Sequence, residues 1–323
     1  MNAILRAPVF CRAIGIFFIF FTNFASAESL INKQLPNVDK VFFTELTNAG
    51  NSIFIVGENG SLFRSEDQGH TWNPLKLDST ELLTSIDFFD AKNGVLVGHE
   101  STMYITNDGG KTFKKVFLKD LADRQALMKV RWLSREKLIV VGEFGLVITS
   151  TDSGVTWKTE KVSTTFFDRH LYDIIPLKSG IVLVGESGTL IFRGSNSSSW
   201  ISISTPYKGS FFGGILGKDN TLFLYGMRGS IYRTSIRLVG GENGVKKLKF
   251  TRIDALVNNT LSYAIRLESG SIVFFDNGSN AIFYENNKIS IKKVSVDTVT
   301  GSFELPNNTL LMVGFRGMGK LNF

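Results

Sequence analysis

One stretch of this chain is written several times over, and that repetition limits what the chain can fold into. Residues 56–72 read VGENGSLFRSEDQGHTW. The same plan returns as VGHESTMYITNDGGKTF at 97–113 and as VGEFGLVITSTDSGVTW at 141–157. A worn copy, VGESGTLIFRGSNSSSW, occupies 184–200, and first halves alone survive at 224–233, 274–284 and 313–323. The anchors Gly57, Gly98, Gly142, Gly185, Gly226, Asp276 and Gly314 lie 41, 44, 43, 41, 50 and 38 residues apart. Seven units of about 42 residues imply a repeat architecture, either propeller blades or stacked helix pairs.

The segments inside each unit decide between the two. They are short, rich in Val, Ile, Phe and Thr, and punctuated by Gly, Asn and Asp, which is the pattern of strands. Four short strands per unit predict an all-β, seven-bladed β-propeller. The seventh unit holds three strands of its own before the sequence stops. The unassigned residues 29–36 are expected to supply the fourth, so that the N-terminal strand closes the ring and removes the exposed sheet edges.

The turn after each third strand has a fixed chemistry. It reads Ser65-x-Asp67-x-Gly69-x-Thr71-Trp72, then Thr106-x-Asp108-x-Gly110-x-Thr112-Phe113, then Ser150-x-Asp152-x-Gly154-x-Thr156-Trp157. A tight turn leaves backbone N–H groups without ladder partners; Asp, Ser and Thr side chains accept from them. Glycine adopts a positive φ at little cost. The Trp or Phe then buries a large ring and fastens the turn. These residues are therefore read as structural.

This pattern is the Asp-box, or BNR repeat. Together with the V-G-x-x-G turns, the chain resembles the Asp-box propellers of the photosystem II assembly-factor family, and especially their exported relatives in non-photosynthetic bacteria. In those relatives the fifth blade looks like P-Y-x-G-S-x-F-G followed by G-x-R-G-x-x-Y-R. Here these segments are Pro206–Gly213 and Gly226–Arg233. The likeness covers 28–323; the box decays in blade four and is gone in blades five and six. The resemblance implies a non-catalytic scaffold without cofactor. It would bind another envelope protein and aid assembly or maintenance of a membrane complex.

Residues 1–27 carry Arg6 and Arg12, an apolar run at 13–25 and the small residues Ala25-Ser26-Ala27, the grammar of a cleaved signal peptide. Export to the periplasm or cell exterior is expected, with the propeller domain spanning 28–323. The one cysteine, Cys11, would leave with the signal, so no disulfide is expected. The net charge of +7 comes from scattered Lys and Arg without a basic run, which gives no reason to expect nucleic acid. The domain is expected to be monomeric, with no small-molecule substrate.

Motifs that would carry chemistry are missing from the sequence. His70, His99 and His170 have no zinc-ligand spacing, so no metal is expected. Gly314 to Lys320 matches a phosphate loop in outline, but two residues before the last Phe leave no helix to open. Sialidases also carry Asp-boxes, which makes a carbohydrate-active propeller the alternative reading. Their arginine triad and Arg-Ile-Pro tripeptide are not recognisable here, and Arg64 and Arg233 merely occupy matching repeat positions.

Binding residues are sought instead among the V-G-x-x-G turns and the lead-in loops to each first strand, which topology places on the face opposite the Asp-boxes. The turns offer Glu58, Glu100, Glu143 and Glu186 in one half of the ring and Arg228 and Arg316 in the other. The loops offer Arg124, Phe166, Phe167, Asp168, Arg169, His170, Tyr207, Lys208, Phe211 and Phe212. Aromatics mixed with arginine are the composition of protein-recognition hot spots. The partner-binding set is thus Arg124, Arg169, His170, Tyr207, Phe211, Arg228 and Arg316.

Overall fold

The computed structural model describes residues 38–119, 121, 124–163, 167–236 and 248–323. The expected signal segment 1–27, the expected closing strand 29–36 and Phe166 lie outside the described residues.

Among the described residues, six four-stranded sheets and one three-stranded sheet follow one another, each an antiparallel meander in sequence order. The seven first strands are Phe43–Ala49, Leu83–Phe88, Leu127–Trp132, Leu171–Leu177, Phe211–Leu216, Leu261–Arg266 and Asp297–Leu305. Each meets the first strand of the next blade, and the seventh meets the first, so the ring is closed at the centre. Second strands such as Ser52–Gly57 end on the V-G of the repeat. The last strand, Gly317–Asn322, is the outermost described strand of blade seven.

Apolar residues fill the space between blades. Both faces of a second strand are buried, as in Leu138–Gly142, where all five residues are inaccessible. Alternate residues therefore enter different seams. Phe54 and Val56 join the seam of blades one and two, while Ile53 and Ile55 join that of blades seven and one. Each boundary between neighbours has one such cluster. Every fully buried Phe, Leu or Ile contributes about 1.5–3 kcal/mol. Val38 and Met318 pack into the seam of blades seven and one, placing the first described residues beside the last strand.

The Asp-boxes staple these seams. The Gly110 N–H donates to Thr106 Oγ1 at 3.0 Å, and the Thr112 N–H donates to Asp108 Oδ1 at 3.0 Å. Equivalent bonds join Gly69 to Ser65 (2.8 Å) and Gly154 to Ser150 (2.9 Å). Gly110 has φ +74°, and a Cβ there would lie 2.6 Å from the Phe54 ring of the preceding blade, so glycine is required twice over. Trp72, Phe113 and Trp157 each pack into the seam with the preceding blade. Where blade four has lost its box, Arg193 stacks on Trp200 at 4.3 Å and pairs with Glu160, which also accepts from Trp200 Nε1.

The box threonines and serines hold each aspartate ionised. Hydrogen bonds from the Thr112 hydroxyl and amide bring the Asp108 carboxyl down from 3.8 to about 2. The folded chain thus keeps this carboxylate charged where the unfolded chain takes up a proton. The stabilisation is complete above about pH 4 and is lost as pH falls towards 2. Asp108→Ala should cost about 1 kcal/mol at pH 7, the screened end of the range for such bonds. Urea melts from pH 7 to pH 2.5 should show the gap to the parent closing; a constant gap would mean that the carboxylate does not hold the turn.

Candidate functional site

The V-G-x-x-G turns have three positions with three different jobs. The residue after Gly turns back on its own blade. Glu58, Glu143 and Glu186 accept from the backbone N–H of Phe42, Ala126 and His170 at 2.9, 3.1 and 3.2 Å, and Asn277 accepts from Thr260 at 3.1 Å. The next residue stands at the tip with positive φ: Asn59, Glu100, Phe144, Ser187, Arg228 and Arg316. The third is mostly glycine, because it presses on the lead-in loop of the following blade. A Cβ on Gly188 would lie 2.0 Å from Tyr207 O. Its N–H donates across the seam, as from Gly188 to Gly209 O at 2.7 Å and from Gly229 to Asn259 O at 2.7 Å.

This geometry corrects the expected division of the rim into acidic and basic halves. Glu58, Glu143 and Glu186 are clamps at the first position, whereas Arg228 and Arg316 are tips at the second. Glu100 alone of the four glutamates shares the tip position.

All seven first strands carry a β-bulge near the same end, at Thr44, Thr84, Met128, Tyr172, Phe212, Ser262 and Thr300. These seven line the mouth of a central cavity of about 540 Å³. Four are hydroxyl residues that donate to the next blade: Thr44 to Leu83 O (2.6 Å), Thr84 to Leu127 O (2.5 Å), Ser262 to Val299 O (2.7 Å) and Thr300 to Phe43 O (2.6 Å). Blades three to five place Met128, Tyr172 and Phe212 there instead. One side of the mouth is therefore stitched by small residues and the other is walled by large ones.

The walled side continues outward as a row of rings. Phe212 lies 5.4 Å from Tyr172, Tyr172 lies 6.3 Å from His170, and His170 lies 5.0 Å from Phe144. Phe144, 59% exposed at the tip of blade three, also donates its N–H to His170 Nδ1 at 3.2 Å. The row thus runs from rim to cavity across blades three, four and five.

The expected partner-binding residues are spread over this face. His170 belongs to the row, with Arg169 exposed beside it. Tyr207 stacks on Phe211 and Tyr232 and donates to Met227 O at 2.9 Å, holding the blade-five turn from which Arg228 projects. Arg124 pairs with Glu100 at 3.5 Å on the lead-in to blade three, and Arg316 lies over Phe315 in blade seven. These residues occupy successive sectors rather than one cluster. Phe211 is wholly buried between blades four and five and offers no surface; its neighbour Phe212 faces the cavity.

Sequence reasoning missed a charged cluster at the ring centre. Glu45, Asp87, Lys129, Arg131 and Asp173 all stand on first strands, and Lys129, Arg131 and Asp173 line the cavity. Glu45 is almost inaccessible; it accepts from Ser85 and from Ile86 N–H and pairs with both Lys129 and Arg131. Burial works against its charge, but Lys129 and Arg131 outweigh that and hold its carboxyl below the usual range. Burial raises the Asp87 and Asp173 carboxyls, with only partial relief from the two cations. Burial likewise pushes the Tyr263 hydroxyl up to about 12. The available signal was a charged residue at alternate positions of an otherwise apolar first strand, as in Lys129-Val130-Arg131.

Residues 70–204 match the family described as photosynthesis system II assembly factor YCF48. No curated protein matches the sequence. Among solved structures, YCF48 bound to D1 peptide aligns with TM-score 0.69 at 16% identity, over 88% of this chain and 93% of that one. YCF48 from Cyanidioschyzon merolae gives 0.71 at 13% identity, over 88% and 96%. The chain is a BNR-type propeller that resembles YCF48. The same fold recurs in the extracellular domain of the one-component system BT4673 from B. thetaiotaomicron, with TM-score 0.68 and 10% identity over 87% of this chain and 38% of that one.

The cavity of this YCF48-like propeller does not favour the carbohydrate-active alternative. Two arginines line it, Arg131 and Arg266. Arg131 is already engaged by Glu45 and Asp87, and Arg266 donates to Leu216 O at 2.8 Å.

The Glu186 clamp gives a direct test of how the ring row is held. Glu186→Ala should speed exchange of the His170 amide at least about tenfold by removing its acceptor, with global stability lowered by about 1 kcal/mol. Unchanged exchange at His170 would show that the loop is held by other contacts.

Proposed function

We propose that this propeller is an exported, non-catalytic scaffold that docks an extended segment of a membrane protein across its V-G-x-x-G face and so aids assembly of a membrane complex. The carrying observation is the row Phe144–His170–Tyr172–Phe212, which leads from the rim into an open cavity mouth. Aromatic rings give large contact area at low entropic cost, and a strip of them suits a chain laid across a surface. The opposite face repeats the Asp-box, whose polar groups are used up inside their own turns. The resemblance to YCF48, one structure of which is bound to D1 peptide, supports the same reading.

The partner is best identified by capture from detergent-solubilised membranes on the full-length exported protein, followed by affinity measurement with the purified partner. Phe144→Ala and Tyr172→Ala should each weaken binding by about 1–3 kcal/mol, roughly 5- to 150-fold. A double change of Glu66 and Lys111 on the Asp-box face should leave it unaltered, with melting temperatures recorded alongside. Binding lost in the control and kept in the two aromatic variants would overturn the docking face.

A further inference from the structure

The V-G-x-x-G turns of blades five and seven break the rule set by the others. Their first position holds no clamp. Met227 and Phe315 stand where blades one, three and four place glutamate, and both are exposed. An arginine follows each at the tip, Arg228 at φ +56° and Arg316 at φ +68°. Neither arginine is paired with a carboxylate among the described residues. Arg316 lies over the Phe315 ring at 5.5 Å.

The next lead-in loop enlarges each pair into a patch. A Cβ on Gly229 would lie 1.9 Å from Val257 O, so the blade-five turn presses on the lead-in of blade six, beside Leu256. Leu256 is 64% exposed and has φ +59°. A bulky residue rarely adopts that conformation, and no burial offsets its cost here. At the other patch the Gly317 N–H donates to Val41 O at 2.9 Å, and the Phe42 ring backs Phe315 at 5.7 Å. The carboxylate nearest in sequence design, the Glu58 clamp, is bonded to the Phe42 N–H. Between the patches the blade-six turn is polar, and Lys293 Nζ donates to its Gly278 O at 3.0 Å. Over the lead-in loops and turns of blades five to seven, Lys208, Arg228, Lys293 and Arg316 stand against two accessible carboxylates, Asp254 and Asp297. Asp254 accepts from the Leu256 N–H at 3.0 Å, and Asp276 is wholly buried.

Exposed apolar side chains beside unpaired arginines are the chemistry of a lipid interface. The apolar group enters the boundary between headgroups and acyl chains, and the guanidinium pairs with phosphate oxygens. None of Met227, Arg228, Leu256, Phe315 and Arg316 lines the central cavity. They project from two separate seams. A fluid surface meets such tips without a matching shape, whereas a protein partner needs a fixed complement to both. We infer that blades five to seven rest on an anionic phospholipid surface, with Met227, Leu256 and Phe315 in the boundary and Arg228 and Arg316 on phosphates. This surface adjoins the ring row of blades three to five without including it, so the row would meet a membrane protein close to its bilayer.

Flotation of the exported protein with vesicles tests this at low ionic strength, where the attraction is least screened. One set is phosphatidylcholine alone; the other is phosphatidylcholine and phosphatidylglycerol in equal parts. The protein should bind the mixed vesicles at least about tenfold more tightly. Arg228→Asn and Arg316→Asn introduce a residue that tolerates positive φ. Each should weaken binding to the mixed vesicles about fivefold. Leu256→Asn and Phe315→Ser should each weaken binding to the mixed vesicles by at least about threefold. Phe144→Ala, in the ring row, should leave vesicle binding unchanged, and all five variants should melt like the parent. No binding to either vesicle, or equal binding by the parent and the four tip variants, would overturn the lipid surface. Tip variants that float like the parent but fail to capture the membrane partner would overturn it as well and assign the tips to a protein interface. Vesicle binding lost in the tip variants and kept in Phe144→Ala would support it, whatever becomes of the docking row.

Discussion

A blade of this propeller has apolar residues on both faces of its sheet, and no blade can bury them alone. Each must sit between two others, so the stable object is a closed ring whose cores are the seams. That constraint explains why Ile53 and Phe54, adjacent in sequence, belong to different seams. It also explains why the boxes matter most at seams. The Gly110 approach to Phe54 and the burial of Phe113 fix one blade against the last, and the local hydrogen bonds of Asp108 and Thr106 merely shape the turn that does so.

The seams leave the two ends of the ring with different freedoms. At the Asp-box end, side-chain oxygens are consumed by their own turns. At the other end, one glutamate per turn in blades one, three and four holds the lead-in loop, and the turn's third residue bonds to the next blade. The tip residue is thereby released from structural duty, and the bulge residue differs from blade to blade. Chemistry diverges at those two places: hydroxyls bridge the mouth in blades one, two, six and seven, and Met128, Tyr172 and Phe212 replace them in between. The charged cluster at the centre is the second departure from a purely apolar ring. Buried ionisable groups are costly, and here Glu45 is paired with Lys129 and Arg131 while Asp173 accepts from two backbone amides.

Repeat spacing made the blades legible in the sequence, because Gly57, Gly98 and their counterparts mark one backbone event that recurs. The Asp-box was legible for the same reason: its residue types follow from local backbone bonding. The site was legible only in part. His170 could be picked out as an aromatic next to charges in a loop, and Phe212 with it. Phe211 was misjudged because a bulge decides which of two adjacent phenylalanines faces the cavity, and a bulge leaves no mark in composition. Arg228 was set against Glu186 because the two turn positions differ by one residue. The central charges escaped notice since they lie on first strands of four different blades, and only the arrangement of the blades around the ring brings Glu45 to Lys129 and Arg131.

The central claim is that the seams and boxes are structural while the opposite face does the binding. Hydrogen exchange of the full chain, with and without its purified membrane partner, tests this most directly. The account predicts slowed exchange in the segments 142–146, 168–173 and 211–214, with the Asp-box segments 65–72, 106–113 and 150–157 unchanged. Protection confined to the Asp-box segments would contradict it.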